Sequence, residues 1–134
     1  HGASPAQVIK ALKEAEAYNG PSIIIAYSPC IAHNIKKGLY MSQMEAKKAT
    51  ECGYWPTFRY NPDLAKEGKN PMQMDSKEPD WSKYEEFLLN EGRYAQLVKI
   101  DPEKAKELFE TNLKDAQKRY ANYKRLAEIE YPNK

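Results

Sequence analysis

The sequence predicts an α/β fold: helices flanking a parallel sheet, then an extended arm and a helical tail, with most of the chain helical. Three observations predict it. Residues 23–27 form an unbroken apolar run, Ile-Ile-Ile-Ala-Tyr, which is typical of a strand buried on both faces of a parallel sheet. A helical segment leads into this run through a tight turn, as in the second half of a βαβ unit. Helical patterns then dominate from residue 80 onward.

The first helix is predicted to begin at Pro5, with Ser4 as its N-cap and Gln7 completing a capping box. Asn19-Gly20 is expected to end the helix, because glycine adopts the left-handed C-cap conformation at little cost. The apolar residues of this helix recur at helical spacing and share one face: Val8, Leu12 and Ala15.

The apolar run at residues 23–27 has no parallel neighbour of its own kind in the sequence. Phe58–Tyr60 and Met72–Met74 are short, interrupted by polar residues and bounded by proline. An unpaired strand leaves a row of backbone groups without partners, which is unfavourable. The sequence therefore predicts that the partner strands lie in polypeptide outside this chain, and that the chain is the C-terminal piece of a larger α/β enzyme domain.

The remainder is predicted to be an arm between helices. Ser42–Glu51 has the pattern of a helix capped by Ser42, with Glu45 at the third position. Residues 52–79 are rich in Pro, Asn, Asp and Gly, which predicts an extended arm with turns. Helices are expected over residues 81–90 and 92–99. This gives three parts: residues 1–51, the arm at 52–79 and a helical tail at 80–134.

Asp101-Pro102 is predicted to begin the longest helix, and Pro132 to stop it. Apolar residues along this helix are spaced alternately by four and three, which predicts a seam against another helix. The seam consists of Phe109, Leu113, Ala116, Tyr120, Tyr123 and Ala127.

Composition excludes several classes of protein. Lys and Arg number 21 and Asp and Glu 19, for a net charge of +2, which argues against a nucleic-acid module. The longest apolar run is far shorter than the ~20 residues of a membrane span. Two cysteines are too few for a disulfide framework. With no visible export signal, a reducing cytoplasm is the expected location.

Cys52 is the first candidate for chemistry. It lies in the sequence Glu-Cys-Gly-Tyr-Trp-Pro, residues 51–56, where Gly53 lets backbone amides approach the sulfur. Amide hydrogen bonds and an aromatic shield are features that tune iron–sulfur clusters. A cluster needs four ligands, however, so residue types alone favour a buried, inert cysteine here.

Cys30 and His33 form the second candidate. Together with Cys52 they supply three soft ligands for a zinc ion, although no fourth ligand is evident. The simpler interpretation is a buried cysteine and a solvated histidine. Because ligands in α/β sheets gather at the carboxyl ends of strands, Cys30 and His33 are also placed to line such a crevice.

The aromatic stretch at residues 54–60 is the third candidate. Aromatic side chains beside Arg59 can stack on nucleic-acid bases. The favoured interpretation is an aromatic arm that packs on neighbouring structure, with Arg59 paired to a carboxylate.

Three long strings are distinctive: EAEAYNGPSIIIAYSPCI at residues 14–31, CGYWPTFRYNP at 52–62 and KNPMQMDSKEP at 69–79. Together they resemble the C-terminal end of pyruvate:ferredoxin (flavodoxin) oxidoreductase. The resemblance implies an anaerobic enzyme that uses thiamine diphosphate and Mg²⁺ to decarboxylate pyruvate oxidatively with coenzyme A. Acetyl-CoA and CO₂ are formed, and electrons pass through [4Fe–4S] clusters to ferredoxin or flavodoxin.

The resemblance also implies roles for this chain. Residues 1–30 would complete the thiamine-diphosphate-binding domain, and Cys52 would be the distant fourth ligand of the cluster nearest the thiamine, with Cys30 as the rival ligand. The partners would be the remainder of the parent enzyme and a second copy in a homodimer. This chain alone is expected to be inactive. The competing interpretations are a non-enzymatic helical interaction module and a small zinc-binding module.

Overall fold

The structure, a computed structural model, describes residues 1–132 and is mostly helical, as predicted. The α-helices within that range are Pro5–Ala17 (α1), Ser42–Glu51 (α2), Tyr84–Asn90 (α3), Gly92–Ile100 (α4) and Pro102–Ala127 (α5). Two short strands, Phe58–Tyr60 (β1) and Met72–Met74 (β2), form the described sheet. None of the described helices combines the length and apolar character that a bilayer crossing requires.

The hydrophobic core lies among α2, α3 and α5. Its buried members are Ala49, Cys52, Tyr84, Phe87, Leu88, Ala105, Phe109 and Ala116. The long helix begins after Asp101, whose side chain accepts a hydrogen bond from the backbone N–H of Lys104 at 3.0 Å. Phe109, Ala116 and Tyr120 of the predicted seam are all buried, which confirms that α5 packs through this face.

The arm at residues 52–79 is more ordered than its composition suggests. Strands β1 and β2 pair antiparallel, with Arg59 opposite Gln73. Between them the 3₁₀ helix Pro62–Glu67 is capped by Asn61, whose side chain accepts from the backbone N–H of Asp63. The start of the arm joins the helical core, since Cys52 is buried there and Tyr54 packs against it. The division at residues 51 and 79 stays a prediction.

The strand predicted at residues 23–27 does not form in this chain. The segment belongs to no helix or strand, and Ile23 and Ile25 are 88% and 77% exposed. A strand exists only by hydrogen bonding to a neighbour, and no neighbour pairs with this segment among residues 1–132. That its partner strands lie in other polypeptide stays a prediction.

Helix α1 starts at Pro5 as predicted, but its caps differ. Ser4 makes no side-chain cap hydrogen bond, so the predicted capping box is absent. The helix ends at Ala17, and Tyr18 rather than a left-handed Gly20 follows it in extended conformation. The same correction applies to α2, where Ser42 is inside the helix and does not cap it. Helix propensity and Pro5 suffice to start α1 without these bonds.

Arg59 ties α1 to the β1–β2 sheet. Its guanidinium donates to both carboxylate oxygens of Asp75, at 2.9–3.1 Å, and to the Gln73 side-chain carbonyl at 2.7 Å. It also donates to the Glu14 carboxylate of α1. This confirms the predicted pairing of Arg59 with a carboxylate. Because no α1 residue is buried, these polar contacts carry much of the attachment of α1.

Candidate metal centre

Cys30 lies in a turn that the core holds at its N-terminal side through Tyr27. The Tyr27 ring packs on Trp55 at 5.2 Å and on Tyr54 at 6.2 Å between ring centroids. Beyond Tyr27 the chain leaves the core, so Cys30 is partly exposed and Ile31 is largely exposed. The partly buried Tyr27 ring therefore fixes the point at which the cysteine-bearing turn begins.

The C-terminal side of this turn is fixed to the junction between α3 and α4. Ile35 is 1% exposed and forms an antiparallel bridge with Glu91. The Lys36 N–H donates to the Asn90 carbonyl at 2.8 Å, and the Gly92 N–H donates to the Asn34 carbonyl at 3.0 Å. Gly92 itself lies so close to the turn that a Cβ there would be 1.8 Å from the His33 carbonyl oxygen.

Asn34 enables the sharp return of the chain. Its φ of 62° is in the left-handed region, which Asn tolerates better than most residues. Its side-chain oxygen accepts a hydrogen bond from the Ile35 N–H at 2.8 Å. Contacts with the core thus fix both ends of the turn from Cys30 to Ile35, and the left-handed conformation of Asn34 reverses the chain between them.

The Cys30 sulfur has a polar neighbour within its own turn. The His33 Nδ1 lies 3.1 Å from Sγ. This side-chain hydrogen bond, followed by the backbone N–H groups of His33 and Ala32, lowers the pKa of the Cys30 thiol. Converging donors around a partly exposed sulfur favour the thiolate, which is the form that binds metals. The donor set at Cys30 therefore fits a metal thiolate.

Cys52 has the opposite environment. It is 1% exposed, and its thiol donates to the Ala49 carbonyl within the turn at the end of α2, with 3.7 Å between sulfur and oxygen. Burial raises the pKa of the Cys52 thiol to about 11. Its sulfur fills space in the core, as an inert cysteine does. The enclosure of Cys52 fits a cluster ligand less well than the exposure of Cys30 does.

The residues around Cys52 have packing roles. Gly53 has a φ of 83°, and a Cβ at this position would be 2.5 Å from the Trp81 ring. The Tyr54 ring packs on Phe87 with 4.8 Å between ring centroids, and the hydroxyl oxygens of Tyr54 and Tyr94 are 2.8 Å apart. The distinctive motif at residues 52–56 is therefore explained by the turn after α2 and by the aromatic core.

The zinc interpretation is not supported by the described part of the chain. No group of three or more His, Cys, Asp or Glu side chains between residues 1 and 132 is arranged to hold a metal ion. Cys30 and His33 lie together as predicted, whereas Cys52 is enclosed in the helical core. Cys30 thus offers one ligand of a set that other polypeptide would have to complete.

Two buried carboxyl groups near this region were not identified from the sequence. Glu45 and Glu91 are each 1% exposed, and each has one carboxylate oxygen without a hydrogen-bond partner. Burial raises the pKa of both groups. Asn90 donates to the other oxygen of Glu45. Glutamates are charged and resemble surface residues in a sequence, so no sequence signal marks these two as buried.

The two cysteines are expected to differ in reactivity. Brief treatment of the native chain with iodoacetamide should modify Cys30 at least tenfold faster than Cys52, because the Cys30 thiol is partly exposed and the Cys52 thiol is enclosed. Peptide mass spectrometry measures both rates, and unfolding in urea should abolish the difference. Equal rates in the native chain would contradict the burial of Cys52.

Comparison with known proteins gives a consistent set of relatives. The chain is 56% identical over 127 residues to pyruvate:ferredoxin oxidoreductase of Moorella thermoacetica, covering 95% of this chain. It is 49% identical over 126 residues to pyruvate-flavodoxin oxidoreductase of Klebsiella pneumoniae, covering 94%. It is 41% identical over 134 residues, 99% of the chain, to the mitochondrial pyruvate dehydrogenase [NADP(+)] of Euglena gracilis. No family model matches the chain.

The matched region is a small part of each relative. The chain spans 11% of the length of the Moorella and Klebsiella proteins and 7% of the Euglena protein. The similarity therefore concerns one segment of these long proteins.

Proposed function

This chain is a homologue of one segment of the pyruvate:ferredoxin and pyruvate-flavodoxin oxidoreductases, and from that relationship we propose that it works as part of such an enzyme. The reaction is the oxidative decarboxylation of pyruvate with coenzyme A to acetyl-CoA and CO₂. The observation that carries the proposal is 49–56% identity along almost the whole chain to two oxidoreductases with these names.

We propose that residues 23–27 complete a sheet in the full-length protein. The segment is apolar, exposed and without a strand partner between residues 1 and 132. Pairing with parallel strands would satisfy its backbone groups and bury its isoleucines. This is the basis for assigning residues 1–51 to the end of a thiamine-diphosphate-binding α/β domain, of which the present chain supplies the C-terminal part.

We propose Cys30 as a ligand of a [4Fe–4S] cluster. Its partial exposure and the His33 Nδ1 atom 3.1 Å from its sulfur support this role, as does its place shortly after the unpaired segment. Carboxyl ends of parallel strands are where α/β folds assemble their sites. Cys52, the ligand predicted from the resemblance, is enclosed by its own chain and stays the alternative.

The remaining parts of the site belong to other regions of the parent enzyme. When bound there, thiamine diphosphate with Mg²⁺ supplies the decarboxylation chemistry and the clusters carry the electrons. The residues of this chain hold the cysteine-bearing turn: Tyr27 anchors its start, and Ile35 anchors its end. We propose that the chain alone is inactive.

The partners we propose are pyruvate, coenzyme A and an acceptor protein, ferredoxin or flavodoxin, with the parent enzyme as a homodimer. Relatives that match this segment carry names with different acceptors: ferredoxin, flavodoxin and NADP(+). Because one segment is shared by all three, we propose that regions outside it select the acceptor.

The test compares two cysteine variants of a full-length protein that contains this chain. Cys30→Ser should lower iron and sulfide by about one [4Fe–4S] cluster per subunit, remove one signal from the reduced-state EPR spectrum and reduce pyruvate-dependent reduction of ferredoxin at least 100-fold. The physical reason is the loss of one of the four thiolates that a cluster needs.

Cys52→Ser is the matched control, because it makes the same chemical change at a buried site. It should keep the full cluster content while lowering thermal stability. The opposite result, with clusters lost only in Cys52→Ser, would restore Cys52 as the ligand. Wild-type protein that does not oxidise pyruvate in the presence of coenzyme A would contradict the proposed reaction itself.

A further inference from the structure

Among residues 1–132, His33 supplies the one side-chain polar contact of the Cys30 sulfur. His33 is also exposed, so its imidazole has no packing role in the core. The one specific side-chain contact of His33 is therefore with Cys30, at 3.1 Å between Nδ1 and Sγ.

Contacts with Gly92 fix the backbone of His33, and this limits where its side chain can lie. Its carbonyl oxygen lies against Gly92, where only a residue without a Cβ fits. The next residue, Asn34, is in the left-handed conformation, and its carbonyl accepts from the Gly92 N–H. The imidazole thus starts from a held backbone position three residues after Cys30.

We propose that His33 is a positioning residue that donates a hydrogen bond from Nδ1–H to the Cys30 sulfur and sets the reduction potential of the cluster held there. The inference rests on the proposed function and adds a residue to it. A metal-bound thiolate sulfur is an acceptor, so Nδ1 must carry the proton. Nε2 is then free to face solvent or other polypeptide.

The direction of the effect follows from charge. Reduction adds an electron to the cluster and increases the negative charge on its sulfur ligands. A hydrogen bond to such a sulfur stabilises the reduced state more than the oxidised state, which raises the reduction potential. Removing the donor should therefore shift the potential of this cluster to a more negative value and leave the other clusters unchanged.

The experiment is a potentiometric titration of the full-length holoenzyme, followed by EPR under anaerobic conditions. His33→Leu removes the donor, and His33→Asn keeps an amide nitrogen close to the position of Nδ1. We expect one cluster to titrate at a more negative potential in His33→Leu, with unchanged iron content, and the shift to be largely reversed in His33→Asn.

Three outcomes would overturn the inference. They are an unchanged potential in His33→Leu, an Asn variant that matches Leu, and loss of the cluster in both variants, which would mean that His33 only shapes the turn. Failure of the proposed ligand is distinguishable, because Cys30→Ser would then keep all clusters whatever the His33 variants do.

Discussion

Replacing Gly92 with alanine is expected to separate the cysteine-bearing turn from the α3–α4 junction. The new Cβ would be 1.8 Å from the His33 carbonyl oxygen and 3.0 Å from that of Asn34. Both neighbours are backbone atoms, so neither moves without shifting the turn. The backbone hydrogen bonds from Gly92 to Asn34 and from Lys36 to Asn90 would lengthen or break.

The size of this effect is set by two opposing terms. Alanine is a better helix former than glycine by about 1 kcal/mol, which would stabilise the first turn of α4. Overpacking costs roughly 1–3 kcal/mol, and the two hydrogen bonds contribute about 1 kcal/mol each. We expect steric exclusion to win, so that the free energy of unfolding falls by about 2–4 kcal/mol.

Urea unfolding monitored by circular dichroism measures this change in the free energy of unfolding. Trypsin cleavage after Lys36 or Lys37 reports the release of the turn, and it should accelerate at least tenfold in Gly92→Ala. Gly20→Ala is the matched control, since the atoms nearest to the added Cβ would belong to the Tyr18 side chain and not to the backbone. A Gly92→Ala protein as stable as Gly20→Ala would contradict the contact.

The helices that carry local signals were predictable from the sequence. Ser42–Glu51 has the predicted bounds, and α5 begins at Pro102 after the capping Asp101. The buried face of α5 also follows from its spacing, because Phe109, Ala116 and Tyr120 recur with the period of a helix. Such signals lie within a few residues of one another, so tertiary contacts do not need to be known.

Features that depend on distant residues were not predictable in the same way. The β1–β2 pairing joins segments twelve or more residues apart, and Phe58 meets Met74 only in the fold. The environments of the two cysteines are also tertiary: Cys52 is buried by α3 and α5, while Cys30 projects from the core. Gly53 and Tyr54, which follow Cys52, form a turn and pack in the aromatic core, and these roles are visible only in the fold.

The candidate site shows the same division. Cys30 and His33 are three residues apart in the sequence, which predicts their proximity, and their side chains are in contact in the structure. Gly92 is nearly sixty residues further along the chain. A glycine is needed there because the backbone of the Cys30–Ile35 turn leaves no space for a Cβ, and not because of its position in α4. No local pattern links Gly92 to His33, so this constraint emerges only from the structure.

Arg59→Met is expected to release α1 from the β1–β2 sheet. The Arg59 and Asp75 side chains are only 9% and 10% exposed, so methionine would leave a largely desolvated carboxylate without its main partner. Breaking such a pair costs roughly 3–5 kcal/mol when both groups are fully buried. Glu14 is more exposed, and Gln7 still donates to Asp75, so we expect about 2–4 kcal/mol.

The loss should be concentrated in α1, since this helix of 13 residues has no buried residue and a helix of that length is marginal in water by itself. Hydrogen exchange resolved by peptide should show at least tenfold less protection over Pro5–Ala17, with α5 unchanged. In Arg59→Lys the protection of α1 should lie between that of wild type and that of Arg59→Met. Lysine keeps the charge but lacks the planar guanidinium that donates to both oxygens of Asp75. Lys66→Met removes an exposed ion pair with Asp63 and should leave both the stability and the protection of α1 at wild-type values. Unaltered protection of α1 in Arg59→Met would mean that apolar contacts, rather than this polar network, hold the helix in place.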